Sequence, residues 1–210
     1  MTAANDDLQR LASLAASLRP RWTSEKPLPR LLFVTDPERT PDPEAVAARL
    51  PAGCGVIFRA FGAPDALVRA SRLAAIAVDR GLILLIGADA GLAQACGAHG
   101  VHLPERMIGD AAALGANHPH WILTAAAHTP TAVQRAADAG CHAVLASTVF
   151  ASGSPSAGSP MGAEAFRALV QAAPLPVYAL GGVNARTAPE LVSSGAQGFA
   201  VVEGLTAVRT

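Results

Sequence analysis

Lysine is almost missing from this chain. Of its 16 basic residues only Lys26 is a lysine, and the rest are arginines. Imine-forming enzymes need a lysine amine, so such chemistry would rest on one position near the N-terminus. Charge is scarce too: 15% of residues are charged, against about 25% in ordinary soluble domains. Sixteen acidic residues cancel the basic ones, so no basic face able to grip a nucleic-acid backbone is implied. The three cysteines, Cys54, Cys96 and Cys141, form no C-x-x-C pair, which excludes zinc-finger and thioredoxin motifs. An odd number in apolar surroundings reads as reduced core residues of a cytoplasmic protein. No apolar run approaches the ~20 residues of a membrane span, and the first ten residues, MTAANDDLQR, are acidic where a signal peptide is basic. The expectation is a cytoplasmic protein with no membrane partner.

What is abundant is apolar surface. At 51% hydrophobic over 210 residues the chain excludes global disorder and suits one domain. Leu8, Leu11, Leu14 and Leu18 have helical spacing, which predicts an amphipathic helix over 5–18. Pro20, Pro27 and Pro29 then form a linker. This divides the chain into an N-terminal helix and linker, 1–30, and a main unit, 31–210. From LLFVTD at 31–36 onward, strands and helices alternate. The other strands are predicted at 54–59, 82–87, 99–103, 121–126, 142–148, 175–180 and 197–202. Helices are predicted at 43–50, 64–80, 89–97, 108–116, 129–139, 162–173 and 186–195. The strands are continuous apolar runs, as parallel strands covered on both faces require.

A repeat sharpens the reading. PAGCGVIFRA, CGAHGVHLPE, AGCHAVLAST and SGAQGFAVVE, beginning at 51, 96, 139 and 194, each run from a helix end through a glycine into a strand. Glycine there accepts the left-handed conformation that ends a helix. The intervals each hold two βα units, so the fold class is α/β, a (β/α)8 TIM barrel. An open doubly wound sheet is the alternative. Few residues follow the last strand, so the C-terminal helix is shortened. Either the extra N-terminal helix covers the barrel wall there or a second copy does, as a homodimer.

In a (β/α)8 barrel the site lies at the C-terminal ends of the strands. Those ends carry Thr35-Asp36, Arg59, Gly87-Ala88-Asp89, His102, His128, Gly181-Gly182-Val183-Asn184 and Val202-Glu203-Gly204. The glycine pair lets backbone amides approach an anion, and such barrels often hold phosphate beside the last two strands; a tight turn without ligand is the plainer reading. The loop 150–162, rich in Ser, Gly and Pro, reads as a lid or as a solvated surface loop. Among the histidines, His118 and His120 read as surface, and His99 and His142 begin strands at the wrong end. His102 faces either the barrel interior or the helices. His128 follows a strand directly and could take and return a proton, or simply pack at the helix start.

Together these residues carry a resemblance. LLFVTD, GAHGVHLP, AAAHT, TVF, PVYALGGVN and GAQGFAVVEGL resemble, in order and spacing, the thiamine phosphate synthase and TenI family over about 31–207. The resemblance implies a phosphorylated thiazole as ligand, with Gly181, Gly182, Val183, Val202, Glu203 and Gly204 at its phosphate. Thr35, Ser152 and Ser154 become substrate-binding candidates, Arg59 would face a substrate carboxylate, and His128 matches the catalytic histidine of the TenI-type thiazole tautomerases.

Departures from the pattern matter as well. Synthases of this family carry Gln-x-Arg-x-Lys where this chain has Ile57-Phe58-Arg59-Ala60-Phe61, and magnesium-binding aspartates where Ala88 and Met107 stand. A lid lysine of theirs is Pro155 here. The expectation is therefore a TenI-like tautomerase with no metal site and no Mg²⁺ cofactor. The alternatives are a thiamine phosphate synthase with altered ligands and a non-catalytic barrel that binds a phosphorylated ligand or a partner. Glu203 replaces a small residue and would repel phosphate if it pointed inward.

Overall fold

The computed structural model describes residues 3–153 and 158–203, with side chains from residue 6. Eight parallel strands close into a barrel in sequence order. They are β1 (Leu31–Val34), β2 (Gly55–Phe58), β3 (Ile83–Gly87), β4 (Gly100–Leu103), β5 (Ile122–Ala127), β6 (Ala143–Ala146), β7 (Val177–Ala179) and β8 (Gly198–Val201). β8 pairs with β1 through Leu31–Phe199, Leu32–Ala200 and Phe33–Val201, which closes the sheet. The barrel reading therefore holds over the open sheet. Among the described residues no helix is long and apolar enough to cross a membrane.

Two apolar layers follow from the strand alternation. Leu32, Val34, Ile57, Leu85, Ile122, Leu145, Tyr178 and Ala200 fill the barrel interior. The intervening residues, such as Phe33, Val56, Ile86 and Val101, pack outward against the helices. Tyr178 is fully buried, and its hydroxyl donates to the Pro29 carbonyl at 2.7 Å. This contact ties the linker under the barrel floor.

The helices are α1 (Ala3–Ser17), α2 (Pro43–Ala47), α3 (Ala66–Arg80), α4 (Ala90–Cys96), α5 (Ala111–Asn117), α6 (Pro130–Asp138) and α7 (Gly162–Ala172). Side-chain caps start several of them. Asp42, Asp89 and Thr129 accept the amides of Ala45, Leu92 and Ala132, each replacing a bond that the first turn lacks. The four repeat glycines, Gly53, Gly97, Gly140 and Gly195, all have φ between 69 and 83°, where a β-carbon is strained.

α1 buries Leu8, Leu11 and Ala15, and Leu18 just past its end is buried too, while Leu14 is only half-buried. The helix packs on β1 and on a 3-10 turn at Ala188–Leu191. It thus covers the wall where a last outer helix would lie. Arg21 extends the seal, its amide donating to Gly195 O at 2.9 Å and its guanidinium to Ala173 O at 3.0 Å.

Two local expectations need correction. The helix predicted over 186–195 is only that 3-10 turn. Asn184 caps the segment, its Oδ1 taking the amides of Arg186 and Thr187, but Pro189 supplies no N–H, so the ladder begun by Ala188 N to Asn184 O stops there. An unpredicted 3-10 helix at Glu105–Asp110 precedes α5. The shortened C-terminal helix falls at 204–210, outside the described residues.

Candidate active site

The strand alternation that fills the interior also sets which residues crown it. Residues 57 and 85 face inward, so Arg59 and Gly87 continue those series. Residues 122 and 145 likewise lead inward to Thr124, His128 and Ser147.

Arg59 is held by the loop after β1. Its amide donates to Thr35 Oγ1 at 2.9 Å and its Nε to Thr35 O at 2.6 Å. Its Nη2 lies 3.1 Å from Asp36 Oδ2. Thr35 is buried at 2% exposure, where its hydroxyl and carbonyl hold Arg59. Nη1 of Arg59 donates to no acceptor among the described residues, and the guanidinium carbon lies 5.3 Å from the Phe61 ring centroid. Burial lowers the Arg59 pKa from its ordinary value, while Asp36 opposes the shift.

Asp36 binds a second cation: Arg39 Nη2 is 2.9 Å from Oδ2. This hydrogen bond is the main reason the Asp36 carboxyl is held down to about 2. Asp36 Oδ1 also accepts the amides of Glu38 and Arg39. Arg39 Nε in turn faces Glu203 Oε1 at 4.0 Å. Glu203, with its side chain 55% exposed, thus points toward the loop after β1.

His102 answers the question left open on the fourth strand. Its Nδ1 is 3.0 Å from Thr124 Oγ1 on β5, so it faces the interior. Burial, with the Arg59 charge adding to it, pushes its pKa down to about 4. The imidazole is neutral at pH 7.

His128 sits exposed just past β5. Its Nδ1 is 3.0 Å from the Ser147 carbonyl oxygen and 3.1 Å from Ser147 Oγ. A carbonyl can only accept, so Nδ1 donates to the Ser147 carbonyl. Its amide donates to Glu105 Oε2 at 2.9 Å. Ser147 escaped the sequence reading.

The glycine pair after β7 has a steric reason. Gly181 and Gly182 have φ of 90 and 64°. A β-carbon on Gly182 would lie 2.4 Å from Ala151 O, and one on Gly181 would lie 2.7 Å from Thr148 Cγ2. The two carbonyls are anchored. Gly181 O accepts Phe150 N at 3.0 Å, and Gly182 O accepts Asn184 Nδ2 at 3.1 Å and Thr187 Oγ1 at 2.9 Å. In a trans peptide the N–H points opposite to the C=O. The amides of Gly182 and Val183 therefore point away from these anchors, and neither donates to an acceptor among the described residues. Val183 is buried at 6% and Val202 is half-buried against the interior. Ser152 is half-buried. Ser154 and Gly204 lie outside the described residues.

The residues at the family's magnesium positions do not fit a diphosphate-bound metal. Ala88 has no ligand atom, and Met107 packs on the apolar core. Asp89 Oδ1 caps α4 at 2.8 Å from Leu92 N. Among the described residues no three His, Cys, Asp or Glu side chains are grouped to hold a metal. A cavity of about 450 Å³ lies at the opposite, N-terminal end, lined by Gln94, His99, His118, His120 and Trp121. His118 stacks on Trp121 there with ring centroids 3.7 Å apart.

Comparison with known proteins places this mouth in a family. A thiamine biosynthesis bifunctional protein (ThiM/ThiE) of Symbiobacterium thermophilum is 34% identical over 178 residues, 83% of this chain. The chain spans only 37% of that longer protein. A thiamine-phosphate synthase of Methanoregula boonei is 34% identical over 145 residues, covering 68% of this chain and 67% of its own length. The solved thiamine phosphate pyrophosphorylase from Pyrococcus furiosus superposes with a TM-score of 0.74 at 24% identity, covering 87% of this chain and 91% of that one, which supports the fold. The model of the TMP-TENI family, thiamine monophosphate synthase, matches residues 31–205, and the chain belongs to that family.

Proposed function

We propose that this barrel binds a thiazole phosphate at its mouth and joins it to a pyrimidine diphosphate, as a thiamine-phosphate synthase. The observation that supports this reading is the match over nearly the whole barrel to relatives named for that activity. The phosphate lies against the amides of Gly182 and Val183, whose carbonyls are held from behind. Amides oriented in advance bind an anion without paying for reorganisation. In this reaction the bond to diphosphate breaks and the thiazole nitrogen attacks the pyrimidine methylene carbon. Arg59 meets the charge that develops on the leaving group.

A second reading is favoured by one specific observation. His128 stands exposed at the mouth with Nδ1 turned to the Ser147 carbonyl, which leaves Nε2 to take and return a ring proton as a tautomerase requires. Such chemistry on a carboxylated thiazole phosphate needs no metal, which agrees with Ala88 and Met107 at the family's ligand positions.

One experiment tests both readings. The protein is incubated with the pyrimidine diphosphate and thiazole phosphate, with and without Mg²⁺, and separately with carboxylated thiazole phosphate in D₂O. Thiamine phosphate formed in the first arm supports the synthase, and magnesium-independent turnover is expected there. Ring-proton exchange above the buffer rate without thiamine phosphate transfers the assignment to the tautomerase. Neither product would leave a binding barrel.

A further inference from the structure

The balance of charge around Asp36 carries one step more. Two guanidinium groups, those of Arg39 and Arg59, face its one carboxylate at 2.9 and 3.1 Å. The charge that completes the balance is Glu203, reached by Arg39 Nε at 4.0 Å. β8 lies between β7 and β1. The loop after β1, with Arg39, therefore stands beside the loop after β8, where a phosphate held by the Gly182 and Val183 amides would sit.

Arg39 is held in place before any ligand arrives. Asp36 Oδ1 accepts its amide at 3.1 Å. Thr40 closes the turn, its amide donating to Asp36 O at 2.7 Å and its Oγ1 accepting the Asp36 amide at 2.7 Å. Its side chain is 16% exposed, so the guanidinium is largely immobilised and its Nε edge is aimed at β8. Glu203 is held differently: it is more than half exposed and its approach to Arg39 is long. Exposed pairs of this kind are weak, whereas a phosphate makes short, charge-assisted bonds to a guanidinium.

We propose that Arg39 is a phosphate-binding cation of this site and that Glu203 is its internal counter-anion, displaced when the phosphate arrives. The inference rests on the reading that a phosphate binds between the last two strands. It assigns the loop after β1 a role in anion selection. Glu203 keeps the mouth neutral while empty and raises the threshold for weakly charged anions.

The test is calorimetric titration with inorganic phosphate of the parent protein, Arg39→Gln, Arg39→Lys, Glu203→Gln and the Arg39→Gln/Glu203→Gln double variant. Thermal unfolding confirms that each is folded. Arg39→Gln should weaken binding about 10- to 100-fold, the range for a hydrogen bond to a charged group. Arg39→Lys should fall between that variant and the parent. Glu203→Gln should tighten binding about two- to fivefold, the strength of an exposed ion pair. That gain should shrink in the Arg39→Gln background, because Glu203 acts on the phosphate through Arg39. If Arg39→Gln does not fold, Glu203→Gln and Arg39→Lys still carry the test. Phosphate binding equal in parent and Arg39→Gln would overturn the proposal and leave the phosphate site standing. Equal tightening by Glu203→Gln in both backgrounds would overturn it too, since Glu203 would then act by simple repulsion. A folded parent that binds no phosphate would remove the site reading and this inference together.

Discussion

The two ends of the barrel use histidine in opposite ways. At the N-terminal end, His99 donates its amide to Leu84 O at 2.8 Å and accepts the Leu84 amide on Nδ1 at 3.1 Å. His142 repeats this on Leu123 at 2.7 and 3.0 Å. These rings extend the sheet ladder by one rung. Their Nδ1 lone pair is taken by a backbone donor, so the proton must be on Nε2. His128, at the C-terminal end, has the reverse arrangement, with Nδ1 donating to a carbonyl. The partner that each backbone position supplies sets which ring nitrogen carries the proton, and this separates two rings that serve the sheet from one exposed at the mouth.

The sharpest way to break this comparison is at His128. If its Nε2 shifts ring protons, His128→Asn should slow exchange into carboxylated thiazole phosphate in D₂O by about 10²- to 10⁴-fold. Ligand affinity measured by titration should change far less, because the loss is in the proton-transfer step. An unchanged exchange rate would return His128 to packing.

The next largest effect is expected at Gly182, whose role the sequence showed only in part. A β-carbon there meets Ala151 O at 2.4 Å, at a φ of 64°. Left-handed strain and overpacking together predict a loss of about 2–5 kcal/mol for Gly182→Ala. Urea unfolding would measure it. A bulky side chain at 182 would therefore disturb the fold of the loop before it could report on a ligand.

All eight strands were legible because each is a short apolar run, and the repeat glycines marked where helices stop. The second glycine that three of the four repeats carry had a meaning the pattern did not reveal. Gly100 and Gly198 lie where a β-carbon would be 2.0 Å from Ile122 O and 2.3 Å from Arg30 O. Other parts were not legible for physical reasons. His102 lies in Gly100–Leu103, which is buried throughout; a strand covered on both faces loses the alternation that tells inside from outside. Thr124 on the neighbouring strand settles its direction. Arg59 was readable as a residue at the mouth, but its ties to Thr35 and Asp36 depend on the pairing of β1 with β2. The turn at 188–191 was read as a helix because apolar spacing was weighed above Pro189, whose missing N–H stops the ladder.

The pH response sharpens the contrast further. His102 is neutral in the fold with a pKa pushed down to about 4, while in the unfolded chain it titrates near 6.5. Between those values the unfolded chain binds more protons, so stability is lost as pH falls from about 6.5 to about 4. Above 6.5 this contribution is fully present, and below 4 it falls no further. The size is on the order of 3 kcal/mol. Urea midpoints at pH 7.5 and 4.5 should separate less in His102→Gln than in the parent. An identical separation would show that His102 does not carry the acid sensitivity.

The smallest effects are expected at the N-terminal end, where they complete the contrast. His99→Leu removes the acceptor of the Leu84 amide, and His142→Leu that of the Leu123 amide. Both leucines are 1% exposed, so each lost acceptor strands a buried N–H, at about 1–3 kcal/mol. The two sites lie on different strand pairs and share no partner, so their losses should add. His99→Asn and His142→Asn keep a side-chain acceptor and should recover part of the stability. Burial pulls both histidines below their ordinary pKa, so the stability each contributes should be present above the ordinary value and fall as the pH is lowered through its depressed one. Turnover at pH 7 should be unchanged in all four variants, because these rings are a strand's length from the mouth. His128→Asn should show the opposite pattern, losing turnover while its urea midpoint stays near the parent's. If His99→Leu or His142→Leu lost activity at unchanged stability, the division between a structural and a catalytic end would fail.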